Sequence, residues 1–212
     1  VRWELSTRDD RPFWVLGASS ERFEPAMLGL IDEHAYRVQL GASGDDRRSQ
    51  IAGEFSRDGK TVIIEPSRFA LDGSQVLLED VHLQYGGARL SAQGSLNTEG
   101  ELSSDALVLQ IADFVLPLPE NDAARNTVKS VPVVLSTRIE ASGKLSIWQL
   151  KATGTLVRGN ERAGFDVAGS GTDSALDLPK MKVSMAQGGM DGRLRLRWQP
   201  AMDIAFDGKL AK

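Results

Sequence analysis

The sequence predicts an all-β protein: an antiparallel-rich sheet, strongly curved, with one apolar face. Three observations predict it. Apolar and polar residues alternate with period two along most of the chain. Tight-turn pairs separate the alternating runs. Glycines recur in phase with the apolar residues, so they fall on the apolar face.

The clearest strand is Gly192–Trp198, with Leu194, Leu196 and Trp198 on one face and Arg193, Arg195 and Arg197 on the other. The same alternation runs through Val81–Tyr85, Leu107–Ile111, Val133–Ala141 and Met181–Met185. Asp58-Gly59 joins Ile51–Arg57 to Lys60–Glu65 as a tight hairpin, where glycine accepts positive φ. Asn97–Gly100 joins Arg89–Leu96 to Glu101–Ile111. Gly159-Asn160 falls between Leu150–Val157 and Ala163–Gly169, and Gly169–Gly171 reads as a turn. Gly188-Gly189 separates Met181–Ala186 from Met190–Trp198, and Gln199-Pro200 ends that strand. The sum is roughly fourteen strands of about 5–9 residues joined by short turns.

Helical signal is thin. Glu24–His34 is a candidate short helix with Pro25 in its first turn, weakened by Gly29. Glu120–Thr127 interrupts the strand pattern and places a possible sub-boundary near 113–131 within one segment spanning 1–212.

A weak internal repeat, apolar-x-apolar-x-Gly-x-Leu, ends at Leu96, Leu145, Leu156 and Leu210, with a degenerate copy at Phe165–Gly169. Glycine inside a strand marks a bend or a close approach. Repeated on one face, it allows the sheet to curl toward that face.

Composition narrows the chemistry. The 212 residues contain no cysteine and only two histidines, His34 and His82. That excludes disulfide scaffolds, thiolate zinc sites and cysteine nucleophiles, and leaves little for histidine chemistry. A net charge of −4 argues against nucleic-acid binding. No stretch free of Asp, Glu, Lys and Arg exceeds nine residues, far short of the ~18–20 that a membrane helix needs. The chain starts at Val1 without a signal-peptide pattern, which reads as a processed form or a piece of a longer protein.

No catalytic constellation, metal set or cofactor loop emerges, and no enzyme activity or cofactor is expected. Glu79, Asp80 and His82 read as polar residues on the solvent face of a strand. The Asp-Gly pairs at 58, 72, 191 and 207 lack the further carboxylates of a calcium loop. The Arg193/Arg195/Arg197 row reads as a solvated face paired with carboxylates across the sheet.

The informative feature is the surface pattern. One side of many consecutive strands is apolar, and almost no amphipathic helix is available to cover it. The sheet either closes on itself as a sandwich or barrel, or curls into an open trough that meets an apolar ligand. The trough lining is aliphatic and suits acyl chains. Its expected members are Leu90, Leu96, Leu107, Leu109, Ile111, Val133, Leu135, Ile139, Leu145, Leu150 and Leu156. They continue through Phe165, Val167, Met181, Val183, Met185, Leu194, Leu196, Trp198, Ile204 and Phe206. Two other functions stay open: a scaffold that adds a partner's strand at its edges, and a closed β-sandwich carbohydrate-binding or adhesion module.

The repeat copies and the closing Gly192-x-Leu194-x-Leu196-x-Trp198-x-Pro200 run resemble the repetitive periplasmic region of the TamB family, in the AsmA-like group. The resemblance is clearest over 88–212. It implies an elongated half-pipe, or β-taco groove, with an apolar interior. It implies a periplasmic location, tethered to the inner membrane by an N-terminal anchor absent from this segment. It also implies pairing of the full-length protein with the outer-membrane barrel protein TamA. The implied function is outer-membrane biogenesis: phospholipid transport between the membranes and assembly of outer-membrane proteins.

Overall fold

The computed structural model describes residues 2–8, 11–24, 34–45, 47–116, 131–198 and 202–211. The candidate helix at Glu24–His34 and the insertion at Glu120–Thr127 fall largely or wholly outside them. Among the described residues there are fourteen strands and no helix. The chain divides into two compact units, Val1–Glu99 and Gly100–Lys212.

The first unit holds β1 (Arg2–Arg8), β2 (Arg11–Phe23), β3 (Tyr36–Gly44), β4 (Arg48–Arg57), β5 (Lys60–Asp72), β6 (Gln75–Tyr85) and β7 (Ala88–Asn97). Each pairs antiparallel with the strand before and after it, from β1 to β7. The second unit repeats this meander with β8 (Ser103–Val115), β9 (Val133–Lys144), β10 (Ile147–Arg158), β11 (Glu161–Gly171), β12 (Ala175–Met185), β13 (Gly188–Arg197) and β14 (Asp203–Ala211). Within each unit the first and last strands do not pair with each other. Each sheet is therefore open, and the closed-barrel alternative does not hold.

The strands run 7–13 residues, longer than the alternation suggested. Lys60–Asp72 continues past Glu65 and through Pro66, where the alternation breaks. The break is a β-bulge: Ile51 faces Ser67 and Gly53 faces Ile64, so Glu65 and Pro66 together oppose Ala52. A bulge lets proline sit inside a strand because the ladder is already interrupted there. Comparable pairs are Glu21-Arg22, Glu79-Asp80, Asp105-Ala106, Ala112-Asp113 and Pro179-Lys180.

All six pairs stand between two residues of the less polar face: Ser20/Phe23, Ile64/Ser67, Leu78/Val81, Ser104/Leu107, Ile111/Phe114 and Leu178/Met181. The extra residue therefore always lengthens the opposite, polar face. A strand with one side lengthened bends toward the other. The sheets accordingly curve with the apolar face inward.

Side-chain hydroxyls repair the interrupted ladders. Ser67, fully buried, donates from Oγ to the Glu65 carbonyl at 2.7 Å and accepts the His82 N–H at 2.9 Å. Ser136 Oγ accepts the Asp113 N–H at 3.2 Å, where Asp113 adopts φ 57°. The Ser67 bonds explain a polar residue on a face that is otherwise apolar.

Two predicted turns move. The β12–β13 hairpin closes at Met185 opposite Gly188, so Ala186-Gln187 is the turn and Gly188-Gly189 belong to β13. Gly169–Gly171 lies inside β11 and is not a turn. A Cβ at Gly169 would collide with the Asp177 carbonyl, so glycine serves close strand approach there.

Candidate functional site

Cross-strand partners share a face, so the register assigns each side chain to a side. In the second unit one face receives Leu107, Leu109 and Ile111 from β8 and Val133, Leu135 and Ile139 from β9. To these it adds Leu150 and Leu156 from β10, Phe165 and Val167 from β11, and Met181, Val183 and Met185 from β12. Leu194 and Leu196 of β13 and Ile204 and Phe206 of β14 complete it. Leu90 and Leu96 lie on the apolar face of the first unit, opposite Leu83 and Val76.

One expected member falls elsewhere, and another lies just past the end of its strand. Lys144 pairs with Ile147, which leaves Leu145 in the two-residue turn, 57% exposed. Strand β13 ends at Arg197, and Trp198 lies beyond it. There the Trp198 backbone N–H donates to the Ser174 carbonyl at 3.0 Å, and its indole N–H donates to the Asp173 carbonyl at 2.7 Å. Ser174 opposite Trp198 continues the Ala175–Arg197 register, so Trp198 stays in phase with Leu194 and Leu196 while tied to the 172–174 turn.

The apolar residues form continuous rows across all seven strands. One runs Leu109, Ile139, Ala152, Val167, Met181, Gly192, Gly208. The next runs Ile111, Thr137, Gly154, Phe165, Val183, Met190, Leu210. No charged residue enters either row. On the opposite face the corresponding row is Arg138, Thr153, Asp166, Lys182, Asp191, Lys209, with signs that alternate. The arginine row is on that polar face too: Arg193 lies 3.6 Å from Asp207 and Arg195 lies 3.5 Å from Asp177. Such exposed pairs set registry and solubility more than stability.

The in-phase glycines have a local cause beyond curvature. A Cβ at Gly154 would stand 2.6 Å from Cζ of Phe165. At Gly171 it would overlap the indole of Trp148, and at Gly192 it would stand 3.1 Å from Cε2 of Phe206. Each large ring lies across a glycine of a neighbouring strand, which keeps the apolar lining shallow and smooth.

Cover over this face is incomplete. Leu178 is 6% exposed and Ala152 is buried, yet Ile204 is 59% and Phe206 51% exposed.

A cavity of about 570 Å³ crosses β8–β12. Its lining includes Val108, Glu140, Lys151, Ala168 and Lys180, successive cross-strand partners on the polar face. Only Leu107 and Leu150 come from the expected trough lining. It is a depression of the polar face, separate from the apolar rows.

The remaining candidates are surface networks. His82 Nε2 lies 2.6 Å from Asp80, Arg68 lies 3.3 Å from the same carboxylate, and Arg48 lies 3.1 Å from Glu79. Among the described residues no three metal-ligating side chains converge. Glu101 accepts the Ser146 N–H at 2.6 Å at the β9–β10 turn. Hydrogen bonds from the Ser146 side chain and backbone hold the Glu101 carboxyl below its ordinary range. No family model, curated protein or solved structure matches the chain.

Proposed function

We propose that the chain binds and conducts phospholipid acyl chains along the apolar faces of its sheets. In this reading it is a segment of a periplasmic β-groove linking inner and outer membranes. The observation that carries the proposal is the set of uncharged rows in β8–β14, continuous from strand to strand and short of cover. An acyl chain in water costs about 0.8 kcal/mol per CH₂, so a chain of roughly sixteen carbons faces a barrier on the order of 10 kcal/mol. A continuous aliphatic surface lowers that barrier without a tight site. Uniform weak contact lets the lipid slide.

The rings of Phe165, Trp148 and Phe206 that cross Gly154, Gly171 and Gly192 support the same reading, because they fill the space each glycine leaves in the lining. The test is a photoreactive residue at Leu196 or at Leu109, in protein purified from a diderm host. Lipid mass spectrometry should find phospholipid, and both positions should crosslink to it. Protein that carries no phospholipid and forms no lipid crosslink at either position would refute the proposal.

A further inference from the structure

Charge enters the apolar face of the first unit at one rim. Arg57 and Lys60 are cross-strand partners flanking the Asp58-Gly59 turn, so both project to the face that carries Phe55 and Val62. Like charges directly opposed in a sheet destabilise it. A single carboxylate answers the pair: Asp58 Oδ2 lies 3.0 Å from Arg57 Nε. Among the described residues Lys60 forms no ion pair. The Arg57 guanidinium stands 5.5 Å from the Tyr36 ring centroid and donates from Nη1 to the Tyr36 hydroxyl at 3.3 Å. It is thus oriented beside the apolar surface.

The far end of the same face is uncharged. There β4 and β5 present Ser49 opposite Phe69, and β5 and β6 present Leu71 opposite Val76. From Phe55 to Ser49 the strand offers about 20 Å of uncharged length. In the second unit the comparable rim pair is Arg158 opposite Glu161, of opposite sign, around Gly159-Asn160. A net cationic rim is therefore a property of the first unit's turn and not of the repeat.

We infer that Arg57 and Lys60 hold the phosphate of a diacyl lipid whose tails lie on the apolar face of the first unit. The inference rests on the acyl-chain reading above and adds a head-group preference to it. An Arg–phosphate contact is charge-assisted and directional, and Lys adds a second donor.

The experiment compares phosphatidylglycerol with diacylglycerol of identical tails, by native mass spectrometry of the full chain. The wild type should bind phosphatidylglycerol about tenfold more tightly, a factor matching the loss of one or two charge-assisted contacts. Arg57→Gln with Lys60→Gln should bring phosphatidylglycerol to the diacylglycerol level and leave diacylglycerol unchanged. Arg158→Gln should leave the ratio as in wild type. Equal binding of the two lipids to the wild type, or an unchanged ratio in the double variant, overturns the inference while the acyl-chain reading stands. Binding of neither lipid overturns both. Displacement of phosphatidylglycerol by millimolar inorganic phosphate would overturn the lipid assignment and make the pair a free-anion site.

Discussion

Gly154→Ala tests whether the glycines on the apolar face are there for the rings that cross them. A Cβ at this position would stand 2.6 Å and 2.9 Å from Cζ and Cε1 of Phe165, and would also overlap the Ser136 carbonyl of β9. Carbon–carbon contact is comfortable only at about 3.5–4.0 Å, so the ring must move by roughly 1 Å. The carbonyl cannot move as far without loosening the β9–β10 ladder. Overpacking of this kind costs about 1–3 kcal/mol. Loss of unfolded-state freedom on replacing glycine returns about 0.4–1 kcal/mol. The net expectation is destabilisation by about 1–2 kcal/mol, seen as a urea midpoint lower by about 0.5–1 M. Gly87→Ala is the contrast, since a Cβ there meets nothing within 4 Å. It should be neutral or stabilising by up to about 1 kcal/mol. Adding Phe165→Leu to Gly154→Ala should recover part of the loss through coupling of the two sites. Equal midpoints for Gly154→Ala and Gly87→Ala, or strict additivity with Phe165→Leu, would refute the reasoning.

Two further outcomes follow from the fold. Glu101 has a lowered pKa in the folded state, so its contribution is present above the unfolded value of 4.5 and is lost as pH falls through the folded value. Wild type should exceed Glu101→Gln in urea midpoint at neutral pH, and the difference should close below about pH 4.5; a gap that persists at low pH contradicts this. Deleting Pro179 removes one residue of the bulge while keeping Leu178 and Met181 on the same face, so hydrogen exchange should show β12 still paired. Exposure of Leu178 then costs at most about 3 kcal/mol. Deleting Lys182 instead moves Val183 and Met185 to the polar face and should abolish protection across β12. Equal protection in the two deletions would contradict the bulge assignment.

Period-two alternation carried most of the fold because one face is apolar and the other charged. Leu194 and Leu196 against Arg193 and Arg195 can be satisfied by one register only, and Asp207 and Asp177 complete it from the neighbouring strands. Glycine was harder to read. At Asp58-Gly59 it makes the turn, at Gly171 it makes room for Trp148, and at Gly188-Gly189 it opens a strand. The difference lies in which ring or carbonyl approaches, and that is decided by strands distant in sequence. The bulges left a trace that alternation alone passes over. Ile64-Glu-Pro-Ser67, Leu78-Glu-Asp-Val81 and Leu178-Pro-Lys-Met181 each replace the single polar residue between inward positions with two. The Arg57/Lys60 rim was equally written in the sequence. Its meaning depends on both side chains sharing the apolar face, which only the pairing reveals.

Nearest-neighbour pairing within each meander has a consequence for how such a sheet is built and changed. Most strands pair with a neighbour across a short turn, so those hairpins can fold from their own turn outward with little loop-closure entropy to overcome; the longer connections of β2–β3 and β8–β9 are the exceptions. The same locality makes length an additive quantity. Each further hairpin extends a sheet by about 10 Å of surface and leaves existing pairs intact. Duplication or loss of a hairpin then changes reach without redesign of a core. The bulges travel with their own strands, so an added segment brings its curvature with it.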